Sequence, residues 1–404
     1  MSYFGCMHHR VARGLLCAAL ISMAGGSGAA GKSPAPAPAR TEPEQLLVDI
    51  YKDLAQNHLR DAQQKADALV EAYPTFRLGH LVRGDLLLMH TRAVTNLGSA
   101  PKEAEAKLQD LRREAAARLR AETRPDTEML PRALLQLRKD QRHALVVDAK
   151  RSRVYLYENR NGEIRYVSDY YFSQGKLGVN KLKEGDMRTP VGVYYISGRL
   201  AGAKLPDLYG KGALPLDYPN SWDKLNGRGG SGIWIHGVPP ETFSRPPLST
   251  DGCVVVSNAD LQKLSRVLEV GKTPILIGDQ VEFVSSSVRE NDRKLADALI
   301  ESWRRDAERR DEDHLRQHYS ARFKSNADED AAAWIARQQF LPGAKRVHVA
   351  LQNTSHFRQP SQEELIVSTF TQQTAIGKFH HSVRLRQYWA KEGTQWKIVS
   401  ESVL

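Results

Sequence analysis

The residues best suited to chemistry lie in residues 232–261, GIWIHGVPPETFSRPPLSTDGCVVVSNADL. Two short groups stand out within it, His236-Gly237 at the end of one apolar run and Thr250-Asp251-Gly252-Cys253 at the start of the next. A thiol can attack a carbonyl, an imidazole can take the thiol proton, and backbone amides can stabilise the oxyanion that develops. The pattern predicts covalent thiol chemistry, with Cys253 as nucleophile and His236 as general base.

The cysteine count agrees with this prediction. Cys6 and Cys17 lie in an N-terminal apolar segment that reads as an export signal, so Cys253 would be the one thiol of the mature chain and would have no disulfide partner. With an ordinary pKa of about 8.5, a thiol is largely protonated at neutral pH. We therefore expect a nearby imidazolium of His236 to lower the pKa, while the carboxylate of Asp251 would raise it.

Short strands separated by glycine and proline must position these residues. The run ALVVDAKRSRVYLYEN predicts two strands around a turn at residues 150–152, and IRYVSDYYFSQG predicts a third. Further predicted strands are VGVYYISG, GIWIHG, CVVVS and TPILIG. Residues 143–283 are thus predicted to form a mainly β catalytic domain.

Three motifs, in the same order along the chain, resemble the YkuD family of L,D-transpeptidase catalytic domains. They are Lys183 and Gly185 leading to Thr189-Pro190, Gly192 and Tyr194, then His236-Gly237, then Thr250 to Cys253. The resemblance extends over about residues 143–280. It implies an enzyme of bacterial cell-wall biogenesis and cell shape that acts on peptidoglycan stem peptides.

By this resemblance, Cys253 attacks the carbonyl of a meso-diaminopimelate residue in a donor tetrapeptide, and D-alanine leaves. The resemblance also implies that His236 is the base, that the carbonyl of Gly237 orients its imidazole, and that the amides of Gly252 and Cys253 form the oxyanion hole. An amine of a second stem peptide, or of an envelope protein, then resolves the thioester.

Two positions depart from the family pattern. Asp251 stands where the family commonly has histidine, and Val255 stands where it usually has arginine or asparagine. The family's basic or amide residue helps to hold the substrate carboxylate, and the nearby cations Arg245, Arg228 and Lys211 are candidates to replace it. We expect Thr250, Asp251 and Arg245 to bind substrate.

The Val255 departure keeps two other functions open. Water instead of an amine could resolve the thioester, giving an L,D-carboxypeptidase or an amidase that releases protein from peptidoglycan. Alternatively, the chain could act mainly as a wall-binding module through its flanking segments.

The N-terminal segments predict export. Basic residues precede a short apolar run at residues 11–23, and small residues follow it, so residues 1–30 are predicted to be a signal peptide for the periplasm or cell envelope. The run is shorter than the roughly 20 residues that span a bilayer, so an uncleaved signal is the alternative route to a membrane. Residues 31–44, rich in proline and alanine, are predicted to be a stiff linker.

The remaining segments predict two flanking units and a multidomain α+β fold. Apolar residues recur at spacings of three and four over residues 45–137, which predicts a helical segment in which ALVEAYPTFRLGHLVRGDLLL resembles a tetratricopeptide-type helix pair broken at Pro74. Residues 291–404 begin with a predicted helix and end with strands, and this pattern resembles the α+β cones of the nuclear transport factor 2 (NTF2) class.

The formal net charge of +11 favours polyanionic partners such as anionic envelope polymers. No motif for nucleic-acid binding accompanies the charge, so we expect no nucleic-acid partner. The chain lacks H-E-x-x-H, and His380-His381 is expected to be strand surface, which predicts no metal site. The glycines of residues 227–232 are not followed by Lys-Ser or Lys-Thr, so no phosphate loop and no cofactor are expected.

Overall fold

The computed structural model describes residues 42–94, 96–98, 105–120, 128–338, 347–361 and 363–404. The predicted signal peptide, residues 1–30, and the predicted linker up to residue 41 lie outside the described residues. Within those ranges, no helix is both long enough and apolar enough to cross a membrane.

The first described segment is helical. Its helices are α1 (Glu42–Ala55), α2 (Leu59–Ala72), α3 (Arg77–Met89) and α4 (Glu105–Arg120). Apolar residues on the facing sides of the helices, including Leu47, Leu69 and Val82, form a single buried core. The predicted break at Pro74 lies between α2 and α3, where proline, which has no amide hydrogen, cannot continue a helix. α1 also begins inside the last residues of the predicted linker.

The prediction that the helical segment continues to residue 137 is wrong at its C-terminal end. Residues 130–136 contain two short strands, β1 (Leu130–Pro131) and β2 (Leu134–Gln136). Pro131 interrupts helical hydrogen bonding. Leu134 and Leu135 are both buried but join different cores, as the two-residue period of a strand requires.

The catalytic domain contains a five-stranded sheet in the order β5-β4-β3-β13-β7 within the described residues. Its strands are β3 (His143–Asp148), β4 (Arg153–Arg160), β5 (Glu163–Tyr171), β7 (Gly192–Tyr195) and β13 (Pro274–Gly278). β3 runs parallel to β13, and the other pairs are antiparallel. The predicted turn at residues 150–152 joins β3 to β4.

A second sheet of the catalytic domain, in the order β12-β10-β9-β8, carries the motif residues. Its strands are β8 (Leu200–Ala201), β9 (Gly212–Pro215), β10 (Trp234–His236) and β12 (Val254–Val255), and a separate pair joins β6 (Gln174–Gly175) to β11 (Leu248–Thr250). The helices are α5 (Ser221–Leu225), α6 (Asn258–Val267) and two 3-10 turns, Gly202–Lys204 and Asp207–Tyr209. Leu145, Ile235 and Val254 lie in one buried cluster that joins both sheets.

The C-terminal domain combines helices with a curved sheet in the order β15-β19-β18-β17-β16-β2. Its elements are β14 (Phe283–Val284), which pairs with β1, then α7 (Ser286–Arg309), α8 (Glu312–Gln317), β15 (Tyr319–Ser325), α9 (Ala331–Gln338), β16 (His348–Arg358), β17 (Leu365–Ile376), β18 (Phe379–Glu392) and β19 (Gln395–Val403). The helix-then-sheet order predicted for this region is the one observed.

The catalytic and C-terminal domains share a core. Trp222 stacks on Tyr388 with ring centroids 5.0 Å apart and planes at 14°. Tyr157 of the five-stranded sheet and Phe357 of β16 lie in the same buried cluster. β2, which precedes the catalytic domain in the chain, also pairs with β16, so residues just before the catalytic domain add a strand to the C-terminal sheet.

The helical segment meets the catalytic domain through a buried ionic network. Glu44 of α1 accepts hydrogen bonds from Arg118 of α4 at 2.6 Å and from Arg153 of β4 at 2.9 Å. All three side chains are at most 4% exposed. Buried charges are stable only when they are paired, so Glu44 holds together two cations that would otherwise repel each other.

Replacing Glu44 with alanine should therefore leave two buried guanidinium groups without their shared carboxylate. We expect Glu44→Ala to reduce the free energy of unfolding by about 3–5 kcal/mol, measured from the chemical-denaturation midpoint and slope. Glu105→Ala is the matched control, because Glu105 pairs with Arg112 but its side chain is 73% exposed. Equal midpoints for the two variants would contradict a structural role for the network.

Candidate active site

The parallel pairing of β10 with β12 brings the two motifs together. Ile235 lies opposite Val254, and His236 lies opposite Val255. Cys253 directly precedes β12, and its Sγ lies 3.3 Å from the carbonyl oxygen of Gly232, just before β10. The strand pair thus brings the predicted nucleophile beside the strand that ends at the predicted base, His236.

His236 is held as a neutral imidazole. It is 3% exposed, and its Nδ1 lies 2.7 Å from the carbonyl oxygen of Gly237. A carbonyl only accepts, so Nδ1 carries the proton and Nε2 keeps its lone pair. Burial lowers the pKa of His236 to about 4, and the charge of Arg245 acts in the same direction. At neutral pH, His236 can therefore receive a proton.

The thiol of Cys253 is also neutral at rest. Its Sγ donates to the carbonyl of Gly232 at 3.3 Å. Burial raises the pKa of Cys253, and Asp251 raises it further, against the lowering effects of the Trp234 amide and of the Arg245 and Lys181 charges. The expectation that an imidazolium activates the thiol is wrong for this resting state, because the same burial keeps the imidazole unprotonated.

Thr250 shapes the turn before the cysteine. Its Oγ1 donates to the carbonyl of Cys253 at 2.8 Å and accepts from the amide of Gly252 at 3.1 Å. The side chain is buried, and its hydroxyl is engaged within the turn, so Thr250 is a positioning residue and not the substrate contact that we predicted. The Gly252 amide, one of the two amides predicted to form the oxyanion hole, is therefore already engaged within the turn.

Two glycines of the motifs are required by close backbone approach. Gly252 has φ +129°, and a Cβ there would lie 2.7 Å from the carbonyl oxygen of Arg188. A Cβ on Gly237 would lie 2.2 Å from Oδ1 of Asn258. A side chain at either position would displace the turn or the histidine.

Asn258 and Tyr209 are site residues that sequence reasoning missed. Asn258 accepts from the amide of Lys211 at 2.9 Å and donates to the carbonyl of Val238 at 2.7 Å, so it ties the 3-10 segment to the chain after His236. The ring of Tyr209 lies 5.0 Å from that of His236 and 4.9 Å from that of Trp234. Neither residue belongs to a motif that would reveal it from sequence alone.

The charge of Arg245 acts on the thiol, whereas Val255 is buried in the core. The guanidinium is half-buried, and its Nη2 donates to the carbonyl of Leu208 at 3.4 Å. Its charge lowers the pKa of both Cys253 and His236. The other proposed replacements have different contacts: Arg228 lies 3.5 Å from Asp223, and the backbone of Lys211 binds Asn258.

Asp251 is the most exposed predicted site residue. Its side chain is 79% exposed and lies 3.0 Å from Nζ of Lys176. It faces solvent near the thiol, so a substrate group can reach it.

The upstream motif is mainly scaffold. Thr189 is fully buried and accepts the Gly175 amide at 3.0 Å, and the hydroxyl of Tyr194 donates to the carbonyl of Val191 at 3.2 Å. Lys183 and Gly185 are exposed. The buried lysine is instead Lys181, which binds Asp186 at 2.8 Å and which the motif comparison overlooked.

In the part of the chain that the structure describes, no three His, Cys, Asp or Glu side chains cluster in a way that could hold a metal ion. His380 is exposed and His381 half-buried, both on β18.

Comparison with known families identifies two of the domains. Residues 142–277 match the family model of YkuD, the L,D-transpeptidase catalytic domain, and residues 295–402 match that of the Cds6 C-terminal NTF2-like domain. The resemblance to the YkuD family and the multidomain α+β fold class are thereby confirmed.

Similar solved structures cover about two thirds of this chain. Bd1075 from Bdellovibrio bacteriovorus is 29% identical with a TM-score of 0.60, and the alignment covers 68% of this chain and 98% of that one. The helical cell shape determining protein Pgp2 from Campylobacter jejuni is 21% identical with a TM-score of 0.57, covering 67% of this chain and 95% of that one. At this lower identity, the likeness to Pgp2 shows the fold alone. No curated protein matches the chain.

Removing the Asp251 charge should make the thiol easier to ionise. Because this carboxylate raises the pKa of Cys253, Asp251→Asn should lower the pH midpoint of Cys253 alkylation by iodoacetamide by about 0.3–0.5 unit. Below that midpoint, the rate at a fixed pH should rise by about two- to threefold.

Asp328→Asn is the matched control for this experiment. Asp328 is 81% exposed and pairs with Lys324 at 3.0 Å, much as Asp251 pairs with Lys176, but it lies in the C-terminal domain. An unchanged or raised midpoint in Asp251→Asn would show that its charge does not act on the thiol.

Proposed function

We propose that this protein is an exported peptidoglycan L,D-transpeptidase that forms a thioester between Cys253 and the donor stem peptide and transfers it to an amine. One observation carries the proposal: a carbonyl-oriented His236 ends the strand that pairs with β12, which begins directly after Cys253, within the domain that matches the L,D-transpeptidase family. This arrangement supplies a nucleophile and a base without any cofactor.

The reaction begins with proton transfer, because both groups are neutral at rest. As Sγ of Cys253 attacks the diaminopimelate carbonyl, the thiol proton passes to Nε2 of His236, and the Cys253 amide stabilises the oxyanion. When the intermediate collapses, the carbon–nitrogen bond breaks and the imidazolium returns the proton to the departing D-alanine amine. The thioester remains on the enzyme.

The acceptor completes the exchange. An amine of a second stem peptide attacks the thioester carbonyl, its proton passes through His236 to the departing sulfur, and the thiol is restored. An envelope protein could supply the amine in the same way. The net charge of +11 would favour approach to anionic wall polymers.

Arg245 is the proposed contact for the donor carboxylate. A guanidinium can form two parallel hydrogen bonds with a carboxylate, and Arg245 lies where its charge reaches Cys253. It would replace the basic residue that the family has at the position of Val255. Asp251, exposed beside it, would meet a cationic or amide group of the substrate.

Hydrolysis is the second candidate, and the buried Val255 favours it. In this second candidate, water resolves the acyl-enzyme in the absence of the family's basic residue at that position, giving an L,D-carboxypeptidase or an amidase. We place either activity in the periplasm or cell envelope, on the strength of the apolar N-terminal segment. By likeness to Pgp2, a role in cell shape follows from the same proposal.

The direct test is mass spectrometry of the protein and products after incubation with muropeptide tetrapeptides. We expect loss of D-alanine, a thioester adduct on the wild type, and a cross-linked or amine-exchanged product. Cys253→Ala should abolish all three, and His236→Ala should reduce turnover by at least about a hundredfold, the usual contribution of a general base.

The products separate the candidates. A free tripeptide without exchange, even with added amine, would replace transpeptidation by hydrolysis. If wild type and Cys253→Ala give the same products, transpeptidation and hydrolysis are both overturned, and the wall-binding alternative remains. Asp328→Asn serves as the variant that should behave as wild type, since Asp328 lies in the C-terminal domain in the exposed loop after β15.

A further inference from the structure

We infer that the helical segment α1–α4 is a positioning device for the active site, because it grips residues 243–245 and thereby fixes where the Arg245 guanidinium lies. The inference rests on the proposed function for the identity of the group that Arg245 binds. The position of Arg245 does not depend on that function. It assigns a role to a segment that neither matched family domain includes.

Phe243 is the apolar part of the grip. Its ring lies 4.4 Å from that of Phe76 and 5.6 Å from that of Tyr73, between the C-terminal end of α2 and the start of α3. It packs against the core of the helical segment, although it belongs to a loop of the catalytic domain. A partly buried loop aromatic that packs on a neighbouring core has few alternative positions.

Ser244 is the polar part of the grip. Its Oγ donates to Oε1 of Glu114 on α4 at 2.6 Å. Glu114 is 2% exposed and also accepts from Arg118 at 2.9 Å. The loop is therefore hydrogen-bonded to the ionic network that fastens the helices to the catalytic domain.

The backbone of Arg245 is fixed from the other side. Its carbonyl accepts from the hydroxyl of Tyr171 at 2.8 Å and from Oγ of Ser173 at 2.9 Å. The Arg118 guanidinium lies 3.9 Å from the centre of the Tyr171 ring, so α4 supports this contact too. Three consecutive loop residues are thus held by groups that the helices contact or supply.

The loop needs this support because of its sequence. Prolines 239, 240, 246 and 247 remove backbone donors from the connection between His236 and Cys253. Backbone hydrogen bonds hold its ends, from Thr242 to Pro239 and from Gln174 to Pro247. Its middle, which carries Arg245, is held by the side-chain contacts described above.

The test is the pH dependence of Cys253 alkylation, which reports the charge beside the thiol without any substrate. The other charged or titratable groups that act on the thiol are Asp251 and Lys181, with His236 on the adjacent strand, and these stay unchanged in the variants. We expect Arg245→Ala to raise the alkylation midpoint by about 0.5–1 unit. Phe243→Ala and Ser244→Ala should raise it by a smaller amount, and Arg245→Lys should keep it near wild type.

A matched variant in the same helical segment is Asp67→Ala. Asp67 pairs with Arg83 on the exposed side of α2 and α3, so its loss should leave the midpoint unchanged. Thermal unfolding followed by circular dichroism checks that each variant is folded, and Ser244→Ala, which removes only one hydroxyl, serves if Phe243→Ala is unfolded.

Kinetics on the proposed substrates give a second readout. With a tetrapeptide donor, Phe243→Ala and Ser244→Ala should raise KM about threefold to tenfold with less effect on kcat, and the difference should vanish with a donor whose terminal carboxylate is amidated. If the wild type shows no turnover of these substrates, the proposed function is overturned but the positioning role is not. If Arg245→Ala shifts the alkylation midpoint but Phe243→Ala and Ser244→Ala do not, the positioning role is overturned.

Discussion

The parallel pairing of β10 with β12 is the constraint on which the active site depends. Parallel neighbours cannot be joined by a tight turn, so the chain must travel through residues 237–252 before it returns with Cys253. A connection of that length has to be fixed by its surroundings. The fixed points are Asn258 at its beginning, the helical segment at its middle, and the pairing of β11 with β6 at its end.

Burial at this strand pair decides the electrostatics of the chemistry. It lowers the pKa of His236 and raises that of Cys253, and in both cases it is the largest influence. At the thiol, the charges of Arg245 and Lys181 oppose burial by lowering the pKa of Cys253. At the imidazole, the charge of Arg245 lowers the pKa of His236, as burial does. These pKa shifts favour a neutral thiol beside a neutral imidazole at rest, which is the starting state of the proposed mechanism.

Sequence alone located the two motifs because strand ends and glycines leave local patterns. His236-Gly237 and Gly252-Cys253 could be recognised from their order and from the apolar runs beside them. The roles of Thr250, Lys181, Asn258 and Tyr209 could not, because each depends on a partner that folding brings from elsewhere in the chain. The depth of burial that fixes the protonation of His236 is equally a property of the packed sheets. The helix predicted to residue 137 failed because periodicity could not show that Leu134 and Leu135 face different cores.

The flanking segments extend the same constraint outward. The C-terminal domain packs against the catalytic domain where Tyr388 stacks on Trp222. The helical segment is joined to the catalytic domain by the ion pair between Glu44 and Arg153. With valine at position 255, the catalytic domain lacks the polar side chain that the family usually has there. The positive charge that acts on the thiol comes from Arg245, on a loop that the helices contact. Because the loop that carries this cation is contacted from outside the matched domain, the proposed function predicts that changes in the helices alter donor recognition while Cys253 and His236 stay in place.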